Sequence, residues 1–235
     1  MTFPILPHPN SSLGPLHSPR DRFVTSCSED GLTNFEYMGR SMFEKVLKEV
    51  MGNWADKSYS HLYLYGPSGF GKSHLLAAVV LCLIWQGERV VYIPDCREAL
   101  NDSFRYIQEA LLFAFHNDND SCDAITAAVQ VDDLINFMQH QPNDKLYVIV
   151  DQRNALEVIQ TSKYRDLFAN EKVKVFTTLQ SIGFRQKFIF SASAGEHSHR
   201  SVDERQTGIR VFHIDTGMTK VCSHFFELPC LTSLG

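Results

Sequence analysis

Gly66-Pro67-Ser68-Gly69-Phe70-Gly71-Lys72-Ser73 has the spacing G-x-x-x-x-G-K-S, the arrangement that cradles the phosphates of a nucleoside triphosphate. Each residue type has a physical reason to be there. Glycine at 66, 69 and 71 permits backbone conformations that a Cβ would forbid, so successive N–H groups can converge on one anion. Lys72 supplies a compact positive charge for the β- and γ-phosphates, and the Ser73 hydroxyl is a hard oxygen ligand suited to Mg²⁺. Pro67, Ser68, Phe70 and His74 complete the stretch in contact range of the nucleotide. An accidental Gly-rich turn would not need a strand before it and a helix after it. Here His61–Tyr65 reads as an aromatic-rich strand and His74–Trp85 as a helix free of Gly and Pro, and a helix N-terminus favours an anion.

A second group of residues belongs to the same chemistry. Lys145–Val150 is a near-continuous apolar run ending in Asp151, the pattern of a doubly buried parallel strand that presents a carboxylate for Mg²⁺ at its end. Gln152 follows where many such ATPases place a Glu that polarises the attacking water. Gln orients a water but takes no proton, so hydrolysis is expected to be slow. Glu157 substitutes only if geometry brings it close. Ser191 and Ser193, at the end of a strand over Lys187–Phe190, are candidate sensors of the γ-phosphate; a hydroxyl there also serves as an ordinary turn former. Lys72, Gln152, Ser191 and Ser193 are therefore the candidate catalytic residues, and Ser73 and Asp151 the candidate metal ligands. Arg200, Arg205 and Arg210 are candidates for a finger into a neighbour's site, with plain surface roles as the alternative. His197 and His199 lack further spaced ligands for a metal. The guanine-reading N-K-x-D is absent, which leaves ATP as the expected nucleotide by exclusion.

The elements needed to position these residues can be read along the chain. Strands over His61–Tyr65, Glu88–Asp95, Lys145–Val150 and Lys187–Phe190 alternate with helices over Ser41–Trp54, Glu98–His116 and Asp123–His140, and with helical segments up to Ile182 broken near Ala169-Asn170. That alternation predicts an α/β fold with a parallel sheet, a P-loop NTPase of three α/β/α layers. Leu100, Phe104, Ile107, Leu111 and Phe115 recur at helical spacing and read as core. Gly208–Ile214 is a further strand candidate, and Met218–Glu227 the start of a lid helix whose remainder is missing. Residues 1–30, with five prolines, read as a disordered leader. Residues 31–235 read as the NTPase domain, incomplete or irregular from about residue 200.

Bulk properties narrow the class further. The 235 residues are 44% hydrophobic and 21% charged, with a net charge of −5. This gives no global basic field for nucleic acid. The six scattered cysteines form no C-x-x-C and read as reduced thiols of an intracellular protein. No secretory signal is visible, and the longest apolar run, Leu75–Trp85, is well short of the ~20 residues of a membrane span. Protein partners are not identified by the sequence, and oligomerisation is left open.

Several stretches together resemble one family. They are Phe35-x-Tyr-Met-Gly-Arg40, Leu62–Leu76, Val90–Arg97 with its Pro-Asp-Cys-Arg, Val148–Gln152 with Asn154-Ala-Leu156, and Phe188–Ser193. The set is similar to the P-loop ATPase region of Crinkler-type proteins of oomycetes and fungi, over roughly residues 35–195. The resemblance implies an additional-strand (ASCE-type, AAA-like) core, with Asp151-Gln152 as the family's own metal-binding strand end. Met38-Gly39-Arg40 either simply leads into an amphipathic helix or resembles the (V/M)GR box that borders the adenine site ahead of the phosphate loop in many signalling and AAA+-like ATPases. The Crinkler-type resemblance also implies an effector-like protein, often nuclear in a target cell. The N-terminal translocation segment and C-terminal effector domains of such proteins are not recognisable here, so nuclease activity is not carried over. Two functions follow as expectations: an ATP- and Mg²⁺-binding switch with slow hydrolysis, or a non-catalytic nucleotide-binding or protein-interaction module. A small-molecule kinase fits the loop but not a metal strand followed by Gln.

Overall fold

The computed structural model describes residues 2–4, 25–27, 33–36, 41–52, 61–142, 146–158, 166–194 and 209–214. Near the start, β1 (Thr2–Pro4), β2 (Thr25–Cys27) and β3 (Thr33–Glu36) make a small antiparallel sheet in the order β1-β3-β2. Of residues 1–30, expected as a leader, β1 and β2 are the described part. Pro4 lies on an edge strand, where its missing N–H interrupts no interior ladder. Residues 5–24 lie outside the described set.

Helix α1 (Ser41–Gly52) buries Phe43, Val46 and Val50 along one face. Next come β4 (His61–Pro67), the phosphate-loop sequence, and α2 (Lys72–Trp85). Gly87, at φ 81°, turns the chain into β5 (Arg89–Ile93). The helices α3 (Glu98–Asn101), α4 (Ser103–Ala114), α5 (Asn119–Ala127) and α6 (Val131–Gln139) intervene before β6 (Leu146–Val150). A one-turn 3-10 helix over Arg153–Leu156, α7 (Ala169–Ile182), β7 (Lys187–Ala194) and β8 (Ile209–His213) complete the described chain.

Two expected helices are each broken in two, and capping chemistry accounts for both breaks. Asp102 leaves helical geometry at φ −151°, and its carboxylate accepts the Arg105 N–H at 3.0 Å, so the span 98–116 divides into α3 and α4. The second helix starts earlier than expected, at Asn119 within the polar cluster 117–122, where Asp118 caps α5 by accepting the Ser121 N–H at 3.1 Å. The helix then stops at Ala127. Asp133 accepts the N–H groups of Val129 and Gln130, both at 3.1 Å, and so opens α6.

The main sheet has five parallel strands in the order β5-β6-β7-β4-β8. Strand β7 is inserted between the strand leading into the phosphate loop and the strand ending at Asp151, which is the additional-strand arrangement. Side chains alternate between two cores. Tyr63, Val148, Val150, Phe188 and Phe190 face α4, α6 and α7, whereas Leu62, Leu64, Tyr147, Ile149 and Ile189 face α1 and α2. Nearly all of α2 is apolar and much of it is buried, as its place between sheet and α1 requires. The fold is thus the expected three-layer P-loop NTPase core. The candidate lid helix at 218–227 lies outside the described residues. No helix among the described residues is long and apolar enough to cross a membrane.

Candidate functional site

Strand β4 delivers the chain to Gly66 at the carboxyl edge of the sheet. A Cβ on Gly66 would come within 2.3 Å of the Ile214 carbonyl oxygen, so only glycine fits. The same neighbour is held by the Ile214 N–H donating to the Tyr65 carbonyl at 2.7 Å. Gly69 and Gly71 adopt left-handed φ values of 80° and 69°. Gly71 caps α2 without a side chain, which leaves first-turn N–H groups facing the loop for an anion.

Lys72 is only 5% exposed. Its ammonium donates to the carbonyls of Gly66 at 2.8 Å and Pro67 at 2.7 Å, so the loop itself holds it in place. Burial lowers its pKa from the ordinary lysine value, and the Asp151 carboxylate opposes that shift. Pro67, Ser68, Gly69 and His74 are exposed at the rim, and Phe70, Gly71 and Ser73 are half-buried.

Asp151 is 1% exposed just past the end of β6. Its N–H donates to the Ile93 carbonyl at 2.8 Å, and Cys96 Sγ donates to its backbone oxygen at 3.1 Å. Its Oδ1 accepts the Ser191 hydroxyl and, at 2.8 Å, the Gln152 N–H. Ser191 is therefore brought to the carboxylate of Asp151, the candidate metal ligand. It lies inside β7, opposite Leu64, because the strand runs on to Ala194; Ser193 is the residue in register with Gly66. Gln152 sits at φ 58°, ψ 37°, a left-handed conformation that is unusual for a residue with a side chain.

Sequence reasoning missed Arg153, Tyr63 and Cys96. The Arg153 guanidinium lies over three rings, 4.8 Å from Phe176, 5.1 Å from Phe190 and 5.7 Å from Tyr63. Burial pushes the Tyr63 phenol up to about 12, an effect the nearby Arg153 partly offsets. The alternation of Tyr63 with Tyr65, and of Phe188 with Phe190, was a signal that rings line one face; nothing local marked Arg153. Of the candidate arginine fingers, Arg210 pairs with Glu49, and Arg200 and Arg205 lie outside the described residues. So do Met38-Gly39-Arg40, His197 and His199. Among the described residues no cluster of three or more His, Cys, Asp or Glu is arranged for a metal.

The donor set suits Mg²⁺ with a triphosphate: a buried carboxylate at Asp151, a hydroxyl at Ser73, and a lysine beside paired left-handed glycines. The oxygens are hard, and no soft ligand competes, since Cys96 Sγ is buried, engaged with the Asp151 carbonyl, and pushed far above its usual thiol pKa by burial.

Comparison with known proteins places this geometry in a lineage. Residues 39–156 match the family of the bacterial DnaA ATPase domain. The chromosomal replication initiator protein DnaA of Campylobacter jejuni subsp. jejuni serotype O:6 is 33% identical over 69 residues, 29% of this chain but only 16% of that protein. DnaA of Campylobacter jejuni subsp. doylei matches to the same extent. Among solved structures, AMPPCP-bound DnaA from Aquifex aeolicus is 17% identical, covering 76% of this chain and 47% of that one, with a TM-score of 0.38. Drosophila ORC bound to DNA is 20% identical, covering 73% and 41%, with a TM-score of 0.44. The match at 39–156 overturns the Crinkler-type resemblance and the effector role it implied. Phosphate loop and metal-strand carboxylate recur wherever this chemistry is done, so they locate a site without fixing its lineage.

Proposed function

Because this chain belongs to the family of the bacterial DnaA ATPase domain, we propose that it is a nucleotide-controlled switch that binds Mg²⁺-ATP and hydrolyses it slowly. The observation that carries the reading is a buried Lys72 in a glycine loop after β4 together with a buried, doubly hydrogen-bonded Asp151 after β6, close enough for its charge to act on the lysine. Gly66–His74 would wrap the phosphates and Lys72 would neutralise them. Ser73 and Asp151 would hold Mg²⁺, which when bound offsets phosphate charge. Gln152 would orient a water without accepting its proton, which is why turnover should be slow. Ser191 supports this role through Asp151, and Ser193 is the candidate nearest the loop by strand register.

The family membership favours self-association as the form the switch takes, with adenine nucleotide as its control. The relatives are named as chromosomal replication initiators, which makes DNA a partner to test here. A net charge of −5 does not decide that question, since phosphate contacts depend on local patches. Gln152 favours one second reading, a module that binds nucleotide without turning it over. Titration of Mg²⁺-ATP and Mg²⁺-GTP into the protein and Lys72→Ala, followed by phosphate release, tests all of this. Saturable ATP binding lost in the variant with slow release supports the switch. Binding without release supports the second reading, and a folded protein that binds nothing overturns both.

A further inference from the structure

We propose that Arg153 is a positioning residue for hydrolysis at this site, a cationic staple that fixes the Asp151-Gln152 turn to the strands on which the phosphate loop and Ser191 are carried. The inference rests on the reading that the site turns over ATP. Arg153 directly follows the two residues assigned to metal and water. Arg153 is half-buried, and its guanidinium lies over Tyr63 of β4, Phe190 of β7 and Phe176 of α7. One amino group, Nη1, is buried near the Tyr63 hydroxyl without closing a well-formed hydrogen bond.

A side chain serving only to fill this space would be apolar, because an unsatisfied buried guanidinium N–H is costly. What compensates is the electrostatic attraction of a planar cation to ring faces, which a guanidinium exploits by stacking. The anchoring points are specific. Tyr63 lies three residues before Gly66 on the strand that enters the loop, and Phe190 immediately precedes Ser191, whose hydroxyl holds Asp151. Arg153 therefore ties the turn to both elements that define the phosphate site.

The turn needs such a tie. Gln152 is left-handed at φ 58°, a disfavoured state that must be imposed by its surroundings. Its geometry is closed by three short-range bonds: the Gln152 N–H to Asp151 Oδ1 at 2.8 Å, the Ala155 N–H to the Gln152 carbonyl at 2.9 Å, and the Glu157 N–H to the Asn154 carbonyl at 3.3 Å. Without the staple these amides should open while the loop and α2, which do not touch Arg153 through any of these contacts, stay closed.

The experiment compares the wild type with Arg153→Met and Arg153→Lys by amide hydrogen exchange, ATP affinity and phosphate release. Arg153→Met should speed exchange at Gln152, Ala155 and Glu157 by about tenfold or more, with α2 amides unchanged. Turnover should fall by about tenfold while the ATP Kd stays within about twofold, a split that general destabilisation would not give. Arg153→Lys, which keeps a cation among the rings, should remain within about threefold of the wild type in both readouts. Unchanged exchange in Arg153→Met overturns the proposal. So does loosening that spreads equally into α2, or a lysine variant no better than methionine. If the wild type neither binds nor turns over ATP, the reading of the site fails, and the exchange comparison alone still decides whether Arg153 holds the turn.

Discussion

The Ser191 hydroxyl donates to Asp151 Oδ1 across the gap between neighbouring strands β7 and β6. The same oxygen also accepts the Gln152 N–H, so two donors from different elements aim one carboxylate. Ser191→Ala removes the inter-strand donor and leaves Asp151 free to turn. The expected result is a loss of about 1–3 kcal/mol in stability and a rise in the Mg²⁺ concentration needed for ATP binding. Thermal unfolding and ATP titrations at stepped Mg²⁺ check this; an unchanged metal requirement would place Ser191 outside the metal site.

Lys72 gives the most direct test of the loop. Lys72→Met keeps an apolar stem but removes the charge. ATP affinity should fall by roughly 2–4 kcal/mol, on the order of 30- to 1,000-fold, since charge-assisted contacts to phosphate are lost. Calorimetric titration reads it directly.

Lys72 also predicts a pH effect, with a definite sign. Its pKa is lowered in the folded ligand-free protein, chiefly by burial. Between that lowered value and the ordinary 10.5 the unfolded chain holds a proton that the folded chain does not, so stability should rise with pH across this alkaline window. The rise should be absent in Lys72→Met. Bound ATP should restore the charged lysine and flatten it. Denaturant unfolding at stepped pH, with and without nucleotide, measures all three.

Gln152 separates chemistry from backbone strain. Gln152→Glu supplies a proton acceptor at the position of the water-orienting amide, and turnover should increase by about tenfold to a hundredfold. Gln152→Gly relieves the left-handed backbone and should raise stability by about 0.5–1 kcal/mol while lowering turnover further. Phosphate release beside thermal unfolding distinguishes the two effects.

The placement of the candidate residues was legible in the sequence because the signals are local. The spacing of Gly66 to Ser73 marked a loop between β4 and α2, and an apolar run ending in Asp151 marked β6. Strand β8 was visible too, from the alternation around Val211. The helix breaks at Asp102 and at Ala128–Gln130 were signalled by Asp102 and Asp133, both good cap residues, but the apolar periodicity ran across them and hid the boundaries. The hydrogen bond of Ser191 to Asp151 could not be read, since its partner lies 40 residues earlier, at the end of the next strand. Arg153 was invisible for the same reason: its three rings come from three separate elements. Lineage was misjudged because residues that perform shared chemistry are shared.

The contact between Gly66 and Ile214 has a consequence for biogenesis. Until residues 209–214 have left the ribosome, β4 has no neighbour on its outer side, and the mouth of the phosphate loop lacks the carbonyl wall that now presses on Gly66. Until those residues emerge, a nascent chain would thus expose an aromatic, hydrogen-bond-hungry strand edge, the kind of edge that recruits other chains. Ligand capture should consequently come late in maturation.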